Sequence, residues 1–182
     1  MRIFALILIV ASMAPLSVGQ NTFPTLLASG PDPTDKDKLQ TFGQFVGSWT
    51  FAGTEFHDDG SHSTDKGEIR CQWVLDGRAV QDVFRETSRS DTDSLLHGTT
   101  IRFYDPKIDA WRVTWINPGA GVVRTFTGRK SGQEIVMEGA AEDGTSIRWI
   151  FSDIKSDSFH WRGEKRTNST WRVYEELDAR RK

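Results

Sequence analysis

The fold class follows from the stretch Trp73-Val74-Leu75-Asp76-Gly77-Arg78-Ala79-Val80-Gln81-Asp82-Val83-Phe84, in which two apolar-rich runs flank an Asp-Gly pair. This arrangement is a strong short-range signal for a β-hairpin, because a type I′ turn requires positive φ at both of its central residues. The stretch therefore predicts a strand, a tight turn centred on Asp76 and Gly77, and a second strand.

The same pattern of short strand and tight turn continues along the rest of the chain. Short strands about ten residues apart are predicted over the ranges 48–56, 67–75, 78–86, 98–104, 111–116, 122–128, 134–140, 145–154, 159–164 and 170–176. Such even spacing is typical of an antiparallel meander closed into a barrel, or of a sandwich. No helices alternate with the strands, which excludes a doubly wound parallel sheet. We predict an all-β, antiparallel, up-and-down β-barrel of about eight to ten strands.

A short helix is predicted before the first strand. Leu39 and Phe42, followed by Phe45 or Val46, recur at helical spacing shortly after Thr34 and Asp35, either of which can cap a helix. One apolar stripe needs a partner surface, so we expect this helix to close one end of the barrel.

The first residues have the features of a signal peptide. Arg2 precedes the uncharged apolar run 3–10, and Ser17-Val18-Gly19 supplies small residues before an expected cleavage site at Gln20. An uncleaved membrane anchor is the alternative. We predict a signal peptide over 1–19, a flexible linker over 20–34, the barrel domain over 35–178 and a basic tail over 179–182. The predicted location is secreted or periplasmic.

Composition excludes several classes of partner and chemistry. The net charge is −2 at pH 7 and no basic stripe is present, so nucleic acid and anionic membrane surfaces are poor partners. Cys71 is the only cysteine, which excludes an intrachain disulfide, and its alternation with Trp73 predicts a small buried residue. The chain has seven Trp, a residue that favours cores and ligand-lined cavities.

Strand alternation assigns one aromatic face to the interior of the barrel. Asp82, Arg124, Asn117 and Glu138 fall on apolar faces by the same alternation. Asp82, Arg124 and Asn117 either orient the polar end of a ligand or, alternatively, lie at strand ends and face water. The residues predicted to bind a ligand are Trp73, Asp82, Phe84, Phe103, Trp111, Trp115, Arg124, Glu138, Trp149 and Trp161.

Three motifs carry a resemblance to a known family: Phe45-Val46-Gly47-Ser48-Trp49, the Trp73-to-Arg78 hairpin and Phe103-Tyr104-Asp105-Pro106. Over roughly residues 39 to 177 the chain resembles lipocalin-like (calycin) barrels and, among them, the uncharacterised bacterial family called domain of unknown function 1579. The resemblance implies a β-barrel with an internal cavity and implies no established reaction. It also implies that a late arginine packs on the indole of the Gly-x-Trp motif, and Arg162 and Arg172 are the candidates.

Histidine gives no firm cofactor site. His57, His62 and His97 lie in predicted loops, whereas His160 lies on a predicted strand. Haem-binding ten-stranded barrels of the nitrobindin type use a strand-borne histidine, but alternation directs His160 away from Trp161 and therefore out of the barrel. We predict no cofactor and no metal.

The sequence favours an exported lipocalin-like protein that binds a small hydrophobic or amphipathic molecule in a Trp-rich cavity. The alternative is a small lipocalin-fold enzyme of the isomerase, cyclase or hydratase type that uses a buried carboxylate, Asp82 or Glu138. A third reading is a filled barrel that acts through its surface. We expect a monomer or homodimer, with no nucleic acid and no stable membrane insertion.

Overall fold

The computed structural model describes residues 26–87 and 94–182. The predicted signal peptide and the beginning of the predicted linker lie outside the described residues. The helical elements are a 3₁₀ turn, Pro33–Asp35, and the helix α1, Lys36–Gly43. The strands are β1 Leu27–Ala28, β2 Gly47–Phe56, β3 His62–Val74, β4 Ala79–Thr87, β5 Ser94–Asp105, β6 Ala110–Asn117, β7 Val122–Ser131, β8 Glu134–Ala140, β9 Ser146–Ser152, β10 Ser158–Thr167 and β11 Thr170–Arg181. In this part of the chain no helix has the length and hydropathy needed to cross a membrane.

The strands β2 to β11 form one closed barrel of ten antiparallel strands. Each strand pairs with the next one along the chain, and the pairing of β11 with β2 closes the ring. The short β1 adds to the end of β3. The predicted all-β, up-and-down barrel is therefore confirmed, with a strand number at the upper end of the expected range.

The hairpin between β3 and β4 has the predicted backbone conformation. Val74 pairs with Ala79, and the turn residues Asp76 and Gly77 have φ values of 56° and 82°. The Arg78 amide donates to the Leu75 carbonyl at 3.1 Å, closing the turn. Gly77 is required for a second reason, because a Cβ there would lie 2.6 Å from the Asp32 amide nitrogen.

Residues 26 to 34 of the predicted linker are attached to the barrel. Leu27 pairs with Val74, and the Asp32 amide donates to the Gly77 carbonyl at 3.0 Å. The Thr34 amide donates to the Asp32 carboxylate at 2.8 Å and the Arg78 guanidinium donates to it at 2.9 Å, and these contacts lower the pKa of Asp32 to about 2. The described part of this segment therefore follows the hairpin rather than hanging free.

The helix α1 covers one end of the barrel, as predicted. Leu39 and Phe42 are its buried residues, and the Phe42 ring lies 4.8 Å from the Trp111 ring in an edge-to-face arrangement. Gly43 lets the helix approach closely, because a Cβ there would lie 2.6 Å from the Trp73 ring. This end, which we call the closed end, is thus filled by aromatic side chains from both helix and strands.

The arginine that packs on the Gly-x-Trp indole is Arg181, which corrects the expectation of Arg162 or Arg172. Its guanidinium lies 4.1 Å from the Trp49 ring and donates to the carbonyls of Gln44 and Val46 at 2.9 and 2.8 Å. Since β11 continues to Arg181, the residues after 178 belong to the barrel and are not a solvated tail. Arg162 instead lies on the outer face, where it pairs with Glu134 and Glu164.

Candidate ligand-binding cavity

A cavity of about 210 Å³ occupies the barrel between α1 and the opposite end. Phe42 of α1 and Phe45, which follows the helix, line its closed end together with Trp49. Asn117 and the exposed Ala120 line the other end, so the cavity opens at the β6–β7 hairpin. The barrel is therefore neither completely filled nor sealed.

Six of the ten residues predicted from sequence to bind a ligand line this cavity. They come from strands on opposite sides of the barrel, so the closure of the sheet brings them together. The six are Asp82, Phe84, Trp115, Arg124, Trp149 and Trp161.

The other four predicted residues lie elsewhere. Trp73 and Trp111 point inward but are packed against α1 at the closed end, away from the cavity lining. Phe103 is 44% exposed on the outer face, because its neighbour Arg102 takes the inward position. Glu138 is exposed on the outer face too. The residues directly before and after it in β8 point inward, and neighbouring residues of a strand point to opposite faces.

An ion pair is buried in the wall of the cavity near the closed end. The Arg102 guanidinium donates to the Asp82 carboxylate at 2.5 Å, and the other Asp82 oxygen accepts from the Thr100 amide at 3.1 Å. Arg102 is only 5% exposed, and its Nε–H has no acceptor among the described residues. Its guanidinium also lies 5.2 Å from the Phe42 ring. Sequence reasoning missed Arg102 because the more apolar Phe103 stands beside it.

The wall of the cavity is a chain of indole rings. Trp149 lies 5.9 Å from Trp115 and 5.6 Å from Trp161, both edge to face. The Trp149 indole N–H donates to the Tyr174 hydroxyl at 2.6 Å, which fixes the orientation of the ring. Edge-to-face contacts of this kind hold large rings in fixed positions around a cavity that stays partly open.

Two β-bulges direct polar side chains into the open end. The register of β10 and β11 shifts after Gly163, so that Tyr174 is inserted between the paired residues Val173 and Glu175. A Cβ on Gly163 would lie 2.5 Å from the Tyr174 ring, which explains the glycine at this position. A second shift, between β4 and β5, inserts His97 in the same way. Bulges commonly re-aim side chains beside binding sites, and both inserted residues line the cavity.

The open end carries four carboxylates on four adjacent strands, which we call the acidic mouth. They lie on the inward face of β2, β3, β4 and β11, in phase with the residues that point into the barrel, and they are Glu55, Asp65, Glu86 and Glu175. Glu175 lines the cavity itself and is paired across the strands with Glu55. Sequence reasoning missed this group because its members are distant along the chain and lie near strand ends.

Burial and the crowding of like charges raise the pKa values of two members of the acidic mouth, Glu175 and Asp65. Burial, and then the negative charges of Asp65, Glu55 and Glu86, raise the pKa of Glu175 to about 7. Burial and a hydrogen bond with Glu86 raise the pKa of Asp65 to about 6. Desolvation and neighbouring carboxylates both disfavour the ionised form. Glu175 and Asp65 are therefore partly protonated near neutral pH.

The remaining titratable candidates do not form a site in the cavity. Burial raises the pKa of the Cys71 thiol to about 12, so this inward-facing cysteine is not a nucleophile. His160 lies on the outer face with its Nδ1 3.0 Å from the Asp178 carboxylate, as alternation predicted. Over residues 26–87 and 94–182 no cluster of His, Cys, Asp and Glu has the geometry of a metal site.

Two solved structures share this architecture. The protein Rv2717c from M. tuberculosis superposes with a TM-score of 0.57 at 12% sequence identity, over 84% of this chain and 99% of its own. The S-type phycobiliprotein lyase CPES from Guillardia theta superposes with a TM-score of 0.54 at 12% identity, over 83% of this chain and 98% of its own. No family model and no curated protein sequence matches the chain. At this identity the superpositions establish a shared fold alone, and that fold is a closed, antiparallel β-barrel of ten strands with one short helix.

Proposed function

We propose that this protein binds a small hydrophobic or amphipathic molecule non-covalently in the barrel cavity. The observation that carries the proposal is the cavity of about 210 Å³, which is walled by Trp115, Trp149 and Trp161 and open at one end. Binding sites of small molecules are concave and mostly apolar, with a few polar groups that orient the ligand. The occurrence of this fold in a phycobiliprotein lyase is consistent with such a role.

The sequence suggested two carboxylates, Asp82 and Glu138, as catalytic groups of an enzyme. Their positions and contacts in the structure favour binding over catalysis. Asp82 is held in an ion pair with Arg102 and accepts a backbone hydrogen bond, so each of its carboxylate oxygens is already engaged within the protein. Glu138 lies on the outer face. The resemblance to the uncharacterised lipocalin-like family adds no reaction to this proposal.

We further propose that the protein is exported and acts outside the cytoplasm. The proposal is supported by the sequence of residues 1–19, in which a charged residue, an apolar run and small residues follow one another as in signal peptides. Intact mass measurement of protein recovered from the exported fraction would identify the first residue of the mature chain. A chain that begins at Met1 in that fraction would contradict cleavage.

Native mass spectrometry before and after organic extraction tests the binding function. Protein purified from its own exported fraction is expected to carry an extra mass that extraction removes, and that mass identifies the class of ligand. Protein with only the calculated mass in both samples would refute the proposal.

A matched pair of tryptophan variants connects the bound mass to the cavity. Trp115→Ala removes an indole from the cavity wall and is expected to lower ligand occupancy. Trp171→Ala removes an indole on the outer face, where the Arg148 guanidinium stacks 4.3 Å from the ring, and is expected to leave occupancy unchanged. Equal occupancy in the two variants would place the ligand outside the cavity.

A further inference from the structure

The charges around the cavity do not cancel. Arg102 is paired with Asp82, and the guanidinium of Arg124 donates two hydrogen bonds of 3.1 Å to the Glu142 carboxylate. Both arginines that line the cavity are therefore already neutralised by a carboxylate of their own. In the acidic mouth the Glu86 carboxylate lies 3.6 Å from the His97 Nδ1, and four carboxylates against this one imidazole leave the open end of the cavity with an excess of negative charge.

Glu175 is the member of the acidic mouth that reaches the cavity. It is largely buried, and none of the described residues donates a hydrogen bond to its carboxylate. A buried carboxylate without a partner is costly to keep ionised. A cation that entered the cavity would supply the missing partner and would favour the ionised form.

The aromatic wall beside Glu175 suits the same kind of group. Trp149 and Trp161 line the cavity next to it, with Phe84 and Trp115 on the facing strands. The faces of aromatic rings attract cations, most strongly when the cation has lost its water shell. A cation between these rings and Glu175 would thus be stabilised from two sides.

An independent observation indicates that the cavity is completed by a ligand. Arg102 lines the same cavity, is 5% exposed, and keeps its Nε–H without an acceptor among the described residues. Buried donors in native proteins nearly always have an acceptor, and those without one need an explanation. An oxygen atom at the far end of a ligand would provide that acceptor near the closed end.

Resting on the proposed binding function, we infer that the ligand is a small aromatic amine. Its protonated amino group lies against Glu175 at the acidic mouth, its ring lies among the indoles, and an oxygen atom at its other end faces Arg102. The groups that surround the amine are Glu55 of β2, Asp65 of β3, Glu86 of β4, His97 of β5, Arg124 of β7, and Tyr174 and Glu175 of β11.

Three probes that differ only in their terminal group test this inference. Tyramine, tyrosol and 4-hydroxyphenylacetate share a phenol and end in an ammonium, a hydroxyl and a carboxylate group respectively. Isothermal titration calorimetry of the mature protein at pH 8 is expected to give at least about tenfold tighter binding of tyramine than of tyrosol. The carboxylate probe is expected to bind most weakly of the three.

Variants assign the preference to Glu175. Glu175→Gln is expected to reduce the ratio of tyramine affinity to tyrosol affinity from at least about ten to about one. Glu138→Gln, which removes a carboxylate from the outer face, is expected to leave the preference intact. In the wild-type protein the preference is expected to fall between pH 8 and pH 5, because protonation of Glu175 removes the charge that holds the amine.

The outcomes separate this inference from the proposed function. Equal affinities for the three probes, or tightest binding of the carboxylate probe, would overturn the amine inference and leave a small-molecule cavity in place. Tyramine preference that survives Glu175→Gln would overturn the role of Glu175. Failure of all three probes to bind, together with a bare mass in native mass spectrometry, would overturn both proposals.

Discussion

Replacing Glu175 by glutamine is expected to make the protein more stable, and increasingly so as the pH rises. Burial and neighbouring carboxylates raise the pKa of Glu175 from 4.5 to about 7. Each tenfold change in proton affinity is worth about 1.4 kcal/mol, so ionising this group costs the native state about 3 kcal/mol above pH 7. Glutamine keeps the shape of the side chain without that charge.

The pH dependence follows from the direction of the shift. Between pH 4.5 and 7 the native state binds the Glu175 proton and the unfolded state does not, so wild-type stability falls as the pH rises through this window. The two proteins should be equally stable near pH 4.5. At pH 8 the variant should be about 3 kcal/mol more stable, which corresponds to an increase in Tm of roughly 6 to 12 °C.

Urea unfolding followed by tryptophan fluorescence at several pH values measures both quantities. Glu138→Gln is the control, and as a surface substitution it should change the free energy of unfolding by less than about 0.5 kcal/mol at every pH. A Glu175→Gln variant that is less stable than the wild type at pH 8 would refute the reasoning. A stability difference that does not change with pH would refute it as well.

Three further predictions concern the closed end and the cavity wall. Arg181→Ala removes a cation–π contact and three hydrogen bonds to backbone carbonyls and should cost about 3 kcal/mol in urea unfolding, whereas Arg180→Ala, exposed on the outer face, should cost less than about 0.5 kcal/mol. Asp82→Ala leaves Arg102 buried without its partner and should destabilise the protein by about 3 to 5 kcal/mol, and replacing both residues by apolar ones should recover much of this loss. Cys71 should react with iodoacetamide at pH 8 only after unfolding, because burial raises the pKa of its thiol to about 12; rapid alkylation of folded protein would contradict its placement.

The strands, the hairpin turn at 76–77 and the short helix were predicted from the sequence because the physical signals for such elements are local. The Asp-Gly pair at 76–77 has the positive φ values that its turn requires, and the period of two between turns fixed the strands. The short helix was predicted from Leu39 and Phe42, which both are buried beneath the barrel strands.

The cavity was predicted less completely because some of its determinants are non-local. In β8, Ile135, Val136 and Met137 are all apolar, so the strand pattern alone does not decide which face is inside, and Glu138 was assigned to the wrong one. Arg102 faces inward because Asp82, on the next strand, neutralises it, and no pattern within β5 reveals this.

The two β-bulges could not be predicted from the sequence for a related reason. An inserted residue such as Tyr174 or His97 changes the phase of alternation only through the partner strand. Arg181 was not predicted to pack on Trp49 because the last strand was expected to end before it, which left Arg172 as the latest candidate arginine. The acidic mouth, whose members stand far apart in sequence, required the closed sheet to assemble it.

The pairing of β11 with β2 has a consequence for biosynthesis. Every other pairing in the ring joins consecutive strands, so hairpins from β2 to β10 are able to form one after another as the chain is made. Until β11 is complete, however, β2 and β10 present unpaired edges, and exposed strand edges are templates for aggregation. The same last strand brings Glu175 to the mouth and Arg181 to the indole of Trp49. Pairing of β11 is therefore one final event in which a nascent chain closes the ring, places Arg181 against Trp49 and brings Glu175 to the mouth.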